Sequence, residues 1–489
     1  MNDLAMAAKL GKHCPDIPVT KTKPWEHQKR AFWFAYHKLG VPTGAGGGAM
    51  LAMDMGTGKT KVTIDLLNNS EISTVLVTCP LAVVQTWPDE LAAHCTRPYR
   101  VVTLNKGSVK KRAELASAAW NAGTGQLTVY VINHESVWRE PFRSFVLNKK
   151  WDLLVVDECH RAKAPGGKFS RFLGTAKSRF HMRLGLTGTP MPRDVLDIYA
   201  QGRFIDPEVF GLSYIRHANY FGIFKEIKTG RRDQRGNPIV ARKLVGVRHE
   251  DELSARLDRM AYRVLADDVL DLPPFVVMQR ECELDAKERR IYEQLKRDLI
   301  AEIDGGYVTA ANALVKLLRL QQVVQGTLQD EDGRVHNIGK SKQKLLEDVL
   351  ESLDSKEPVV VMCKFHSDLD RVHEVAKSLG RGSLELSGRL NQLEEFKRGG
   401  GPIIATQIQS GGVGVDLSRA AYTIYFTPTY DMGAYEQSLR RTRRPSKHQH
   451  GTFFYYHLVA VNTIDVAVYQ ALRTKKRVVD SVLAGIRGN

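Results

Sequence analysis

Two sets of short, uninterrupted apolar runs constrain this chain more than any other feature. The first comprises GAMLAMD (48–54), TVLVTCP (74–80), TVYVIN (128–133), DLLVVDE (152–158) and RLGLTGTP (183–190). The second comprises PVVVMCKF (358–365), SLELSG (383–388), PIIATQ (402–407), AYTIYFTP (421–428) and GTFFYYHLV (451–459). Continuous apolar runs mark strands covered on both faces, which helices accomplish in a parallel sheet. Helical patterns do lie between the runs, so each set predicts an α/β lobe. Ser367 is expected to cap a helix from Asp368 to near Gly380, and Asn462 a final helix from about Thr463 to Leu483. Two similar lobes suggest a site between them.

The stretch between the lobes, roughly 206–340, reads differently. KTGRRDQRGNPIVARK suggests a basic hairpin turning at Gly236-Asn237-Pro238. ELSARLDRMAYRVL and AANALVKLLRLQQVV then carry helical periodicity. The expected plan is an N-terminal extension (1–23), a first lobe (24–205), a hairpin and helical insertion (206–340) and a second lobe (341–489). A chain of 489 residues needs more than one core.

Charge bears on the partner. Seventy-one Lys and Arg against 54 Asp and Glu leave +17, which favours a polyanion, most simply nucleic acid. Six cysteines without a CxxC pair or zinc spacing fit a reducing compartment. The N-terminus carries no secretory h-region, and the uncharged stretch 72–88 contains two prolines, so neither a signal peptide nor a membrane span is expected.

The chemistry concentrates in four places. MDMGTGKT (53–60) follows a predicted strand and opens a helix. There Gly56, Thr57 and Gly58 curl backbone N–H groups toward phosphate, Lys59 reaches the β- and γ-phosphates, and the Thr60 hydroxyl suits magnesium. The full P-loop pattern has glycine where Met53 stands. The GAGGG stretch (44–48) upstream reads as a flexible connection. VVDECH (155–160) ends a buried strand; Asp157 would hold Mg²⁺ and Glu158 would orient the attacking water. Alone such a pair is a solvated strand end, but in one sheet with GTGKT it reads as catalytic. In LTGTP (186–190), Thr187, Gly188 and Thr189 stand at another strand end, with hydroxyls able to bond the carboxylate loop. Last, QSLRRTRRPSK (437–447) holds five Lys or Arg among the eight residues from 440 to 447.

These motifs, in this order, resemble the superfamily 2 helicase-like ATPases, and within them the Swi/Snf-type DNA translocases. LAMDMGTGKT, DECH and LTGTP look like the family's first three motifs; TQIQSGGVGVDLSRA (406–420) and QSLRRTRRPSK look like its fifth and sixth. DVLDIYAQGRFIDPEVFG (194–211), DDVLDLPP (267–274), LDAKERRIYEQL (284–295) and GKSKQKLLEDVL (339–350) are also similar to family segments, so the likeness spans roughly 24–470.

The resemblance implies two RecA-like lobes, ATP and Mg²⁺ as cofactors, and DNA, double-stranded, as partner. It implies that Gln28 reads adenine, and that Gln437, Arg441 and Arg444 form the sixth motif, with arginines neutralising the transferring phosphoryl group. On a helix those three fall on one face. Arg440, Arg443 and Lys447 are left for solvent or DNA phosphate. Arg231, Arg232 and Arg235 of the basic hairpin, and Ser410 and Gly411, are the candidate DNA contacts. The bland alternative for the hairpin is a solvated basic face. His27, Asp416, Ser446 and Lys447 depart from the usual pattern, and the segment between SLELSG and PIIATQ is short. The function expected is an ATP-driven translocase on duplex DNA. The alternatives are a strand-separating DNA or RNA helicase and a non-catalytic ATP-binding clamp. A monomer is expected in the cytoplasm of a bacterial or virus-infected bacterial cell, the nucleus remaining an alternative.

Overall fold

The computed structural model describes residues 14–123, 125–192, 194–232, 238–304, 310–330, 334–408, 415–444 and 451–484. The chain divides into two compact units: residues 1–222, 247–271 and 477–489 form the first, and 223–246 with 272–476 the second. The interval 206–340 is thereby shared between them.

The first unit is built on a seven-stranded sheet. Its strands are β1 (Gly47–Met53), β2 (Thr74–Cys79), β3 (Tyr99–Leu104), β4 (Leu127–Asn133), β5 (Trp151–Asp157) and β6 (Phe180–Thr187). Next in the chain comes a hairpin of β7 (Gly222–Arg232) and β8 (Pro238–Val247), which falls, but for its end residues, in the second unit, and β9 (Ala261–Val264) then returns to the first sheet. The order is β3-β4-β2-β5-β6-β1-β9, every pairing being parallel. β1, β2, β4 and β5 are buried along nearly their whole length, which is why they read as unbroken apolar runs. Register then places the chemistry. Ala52 of β1 pairs with Thr187 of β6, and Leu186 of β6 with Asp157 of β5. The carboxyl ends of three adjacent strands therefore lie side by side, where open α/β sheets bind ligands.

In the second unit β10 (Phe275–Cys282) precedes a small pair, β11 (Thr327–Gln329) and β12 (Val335–Asn337). β13 (Val359–Cys363), β14 (Ser383–Leu386), β15 (Ile403–Gln407), β16 (Tyr422–Tyr425) and β17 (Phe453–Ala460) complete a parallel sheet of order β10-β17-β16-β13-β15-β14. β13 lies at its centre and contributes Val359, Val361 and Cys363 to one core face, Val360 and Met362 to the other.

Several local expectations need correction. GAGGG is not a slack connection. A Cβ on Gly47 would meet Lys38 O at 2.2 Å, and one on Gly48 would meet Ile205 O at 1.9 Å. Glycine is required there because two backbones close on the start of β1. ELSARLDRMAYRVL is a helix only to Asp258, after which β9 begins. Ser367 lies inside the helix His366–Ser378; Asp368 takes the capping role, accepting from Lys364 N at 3.1 Å and Phe365 N at 2.9 Å. At the last helix, Ile464–Ala484, Thr463 Oγ1 accepts from Asp465 N, while Asn462 sits one residue earlier with φ 57°. The basic stretch does form the hairpin; Arg231 and Arg232 end β7, whereas Arg235, Ser410 and Gly411 lie outside the described residues. No helix among the described residues is long and apolar enough to cross a membrane.

Candidate functional site

The loop after β1 turns at Gly56 (φ 81°) and Gly58 (φ 87°), both left-handed, and the helix Lys59–Asn68 starts at once. A side chain at Gly58 is doubly disfavoured, since its Cβ would fall 2.2 Å from Gln28 Nε2. At Gly56 a Cβ would meet nothing within 4 Å, so the crown of the loop is open. Thr57 braces the turn from within, its hydroxyl donating to Asp54 O at 2.8 Å. Lys59 Nζ donates to Met53 O (2.8 Å) and Asp54 O (3.1 Å), and Thr60 follows in the first helical turn, half-buried. Asp54 fastens the loop to the chain after β9, accepting from Ala266 N at 2.9 Å.

Gln28 reaches this loop from the helix Glu26–Lys38. Its Nε2 donates to Thr57 O at 3.1 Å and its Oε1 accepts from Trp25 N at 3.0 Å. His27 Nε2 lies 2.9 Å from the same Thr57 oxygen; burial pushes its pKa down, so the ring is neutral and donates there. Trp25 is half exposed, with its ring centroid 5.5 Å from that of His27.

Asp157 ends β5, and Glu158 follows in the left-handed region at φ 52°, ψ 49°. That conformation turns the two carboxylates away from strand alternation at a strain of about 1 kcal/mol or more. Both side chains are buried. Burial, with the charge of Glu158 beside it, pushes the Asp157 carboxyl above the usual carboxylate range, despite the opposing Lys59. Burial also opposes charge on Glu158, but the His160 hydrogen bond and charge, with Lys59 and Arg161, outweigh it and hold that carboxyl below the usual range. His160 Nδ1 lies 3.2 Å from Glu158 Oε2 and 3.0 Å from Thr187 Oγ1, and Thr187 Oγ1 accepts from Thr189 N at 3.1 Å. The carboxylate turn and the Thr187-Gly188-Thr189 loop are thus joined through one imidazole. Gly188 in turn lies against the loop after β1, where a Cβ on it would meet Met53 O at 3.4 Å.

A divalent cation fits this donor set. Thr60 and Asp157 offer hard oxygens, which suit Mg²⁺. Glu158 Oε2 is buried with His160 Nδ1 its near neighbour at 3.2 Å, and the carboxylate pair carries repulsion that a cation would relieve.

In the second unit, the helix Met432–Thr442 is capped by Asp431, which accepts from Ala434 N at 3.0 Å. Gln437 is half-buried on it. Arg441 is buried; its Nη1 donates to Ile408 O at 3.1 Å and its carbonyl accepts from Leu417 N at 2.9 Å. Arg444 does not continue the helical face. The helix stops at Thr442, Arg443 is extended (φ −84°, ψ 96°), and Arg444 Nη2 donates to Val415 O at 2.7 Å. Pro445 disfavours helical backbone in the residue before it, and the break spreads back two residues. Arg443 is not left to solvent: its Nε donates to Pro273 O at 2.7 Å and its guanidinium lies 4.7 Å from the Phe275 ring centroid.

Three residues near these motifs escape sequence reasoning. His134 follows β4, is buried, and has its pKa pushed down to about 3 by burial, which keeps it neutral; its place after a strand run was the available signal. Asp54 and Gln201 carry no signal of their own.

A phosphate loop, a carboxylate turn and a threonine loop on one parallel sheet, with a second parallel sheet carrying an arginine motif, define a helicase-like ATPase. The chain belongs to the SNF2-related family: the SNF2-related domain matches residues 27–328, and the helicase conserved C-terminal domain matches residues 341–446. It is an ATP-hydrolysing enzyme of that family. A putative protein, p41, of Acyrthosiphon pisum secondary endosymbiont phage 1 is 27% identical over 88% of this chain and 94% of its own length. An uncharacterized ATP-dependent helicase of Mycoplasma genitalium is 23% identical over 89% of this chain, and the DNA repair and recombination protein RDH54 of Saccharomyces cerevisiae 23% over 86%. The chain spans nearly all of the phage relative but only 40% and 48% of these two. Among solved structures, the Sulfolobus solfataricus SWI2/SNF2 ATPase core in complex with dsDNA aligns over 96% of this chain and 95% of its own, with 21% identity and a TM-score of 0.43.

Proposed function

We propose that the protein is an ATP-driven translocase on double-stranded DNA, acting as a monomer in the cytoplasm of a bacterial or phage-infected cell. The observation that carries the hydrolytic part is the alignment of three strand ends, which brings Lys59, the Asp157–Glu158 pair and the Thr187–Thr189 loop together. DNA as the track is supported by the net charge of +17, by the basic hairpin and by the name of the yeast relative.

In this reading the backbone N–H groups of Gly56, Thr57 and Gly58 hold the ATP phosphates, and Lys59 leaves its carbonyl partners to reach them. Gln28 selects adenine with an amide that now bridges Trp25 and Thr57. Thr60 and Asp157 would hold Mg²⁺, which when bound would supply charge neutralisation to the nucleotide's phosphates. Glu158, kept ionised beside His160, orients the attacking water. Thr187, Gly188 and Thr189 pass the state of that site to the rest of the first lobe. Gln437, Arg441 and Arg444 serve the transferring phosphoryl group, a role in which one arginine contributes about 10³–10⁵ in rate. Arg231, Arg232 and Arg235, with Ser410 and Gly411, hold DNA phosphates without reading sequence.

The test is steady-state ATPase with single-stranded DNA, duplex DNA, forked DNA and RNA as stimulators, beside triplex displacement and strand separation. Duplex stimulation with triplex displacement and no unwinding is expected. Unwinding of a forked duplex would instead select the helicase, and Glu158→Gln hydrolysing at the wild-type rate would remove the assignment of that residue.

A further inference from the structure

One buried polar side chain in the first unit has no role in the chemistry above. Gln201 sits on the helix Ile198–Ile205 and is fully buried, in a helix that also buries Ile198, Tyr199, Phe204 and Ile205. A leucine or methionine would fill such a position without the penalty of burying an amide. Instead every hydrogen of the amide is used. Its Nε2 donates to Pro190 O at 2.5 Å and to Asp197 O at 3.1 Å, and its Oε1 accepts from Cys159 Sγ at 3.3 Å.

Those partners belong to different motifs. Cys159 directly follows the left-handed Glu158, and Pro190 directly follows Thr189. Cys159 also packs against the strand that carries the threonine loop, since a Cβ on Gly185 would meet its Sγ at 3.1 Å. Gln201 therefore ties the carboxylate turn and the threonine loop to one rigid helix, behind the direct link through His160. Its bond to Asp197 O is the ordinary step back to the preceding turn and fixes the amide's orientation. The left-handed Glu158 backbone is unfavourable alone and persists only where neighbours hold it. Fully satisfied buried polar groups enforce one arrangement among close alternatives.

We infer that Gln201 is a positioning residue for ATP hydrolysis: it fixes the spacing between the Asp157–Glu158 turn and the Thr187–Thr189 loop, and so acts on turnover rather than on ATP binding. The inference rests on the reading of Asp157 and Glu158 as the hydrolytic pair. A misplacement near 1 Å in such a site lowers rate by about a hundredfold, so the expected loss from a loosened turn is about tenfold or more.

The experiment measures kcat and KM for ATP with saturating duplex DNA, and the melting temperature, for Gln201→Met. The expected result is a kcat lower by about tenfold with KM within about twofold of wild type and melting little changed. A kcat within about twofold of wild type, or kcat and melting falling together, overturns it. Cys159→Ser and Cys159→Ala keep the test decisive if Gln201→Met does not fold. The serine keeps a donor and should hold the wild-type rate, whereas alanine should lose it; equal rates overturn the inference. Glu158→Gln separates the two readings. If it is inactive while Gln201→Met is fully active, only the role of Gln201 falls. If Glu158→Gln is fully active, the assignment of the pair falls and the inference with it.

Discussion

Lys342 and Asp465 form an ion pair at 2.5 Å in which neither side chain has any exposure. The pair joins the helix Ser341–Glu351 to the last helix, on elements that pack around the second sheet. Lys342→Met keeps much of the stem's volume and removes the charge. Asp465 Oδ2 would then retain only Ala460 N, at 3.3 Å, while its Oδ1 has no hydrogen bond to lose. Removing one member of a buried pair costs about 3–5 kcal/mol, most of it from the charge left behind. In a unit of about 230 residues each kcal/mol moves the melting temperature by about 2–4 °C, so a fall of roughly 6–20 °C is expected. The assay can assign that fall. All six tryptophans, Trp25, Trp33, Trp87, Trp120, Trp138 and Trp151, lie in the first unit. Tryptophan fluorescence therefore follows the first unit, and far-ultraviolet circular dichroism follows both. The dichroism transition should move down while the fluorescence transition serves as internal reference. Lys342→Met/Asp465→Leu should recover more than half of the loss, because no charge remains buried. A single variant melting within about 2 °C of wild type would refute the reasoning. So would a double variant no better than the single one, which would place the cost in packing instead of the orphaned carboxylate.

Three further outcomes follow from the geometry. Without nucleotide, Gly58→Ala should melt lower than Gly56→Ala, since both acquire left-handed strain of about 1–2 kcal/mol but only the former meets Gln28 Nε2; equal melting would contradict the built contact. Arg443→Ala should lower the stability of the second unit by about 2 kcal/mol, through loss of the Pro273 bond and the Phe275 contact, and leave kcat intact. Arg444→Ala should instead lower kcat at least about a hundredfold, beside the smaller stability loss of its Val415 bond; ATPase assays beside urea unfolding distinguish the two. Burial pushes Lys364 down to about 8, partly offset by Asp368. Between about 8 and its ordinary 10.5 the folded protein then binds fewer protons than the unfolded chain, so this group adds stability as pH rises through that window. Urea unfolding from pH 7 to 10 should show wild type gaining on Lys364→Met, and a constant difference would count against the shift.

The strands legible in the sequence are those with both faces covered. Five strands escaped notice: β3, β9, β10 and the three-residue pair β11 and β12, the first three for definable reasons. β3 is only half-buried over most of its length, so YRVVTL mixes polar and apolar positions. β9 has four residues and follows a helix closely enough to be absorbed into its periodicity. β10 pairs on one side only and leaves Phe275, Val276 and Val277 largely exposed, so its pattern lacks the burial that makes a strand conspicuous. The glycines before β1 misled for the opposite reason. Glycine is permissive in an unconstrained chain, but here the missing Cβ admits two neighbouring backbones.

The site divides along the same line. The residues assigned above to ATP stand at strand ends in short motifs, because loop-and-helix geometry demands particular residues at fixed spacing. Residues that hold those motifs bond backbone carbonyls and amides far away in sequence, as Asp54 does with Ala266 and Arg443 with Pro273, and a backbone partner leaves no mark on sequence. The basic run 437–447 shows both kinds in one segment. Arg441 binds Ile408 O and Arg444 binds Val415 O, so the two arginines hold the residues that flank 409–414 on either side. The guanidinium of Arg444 carries five N–H donors, so it can keep its bond to Val415 O while its other hydrogens remain for a phosphoryl oxygen.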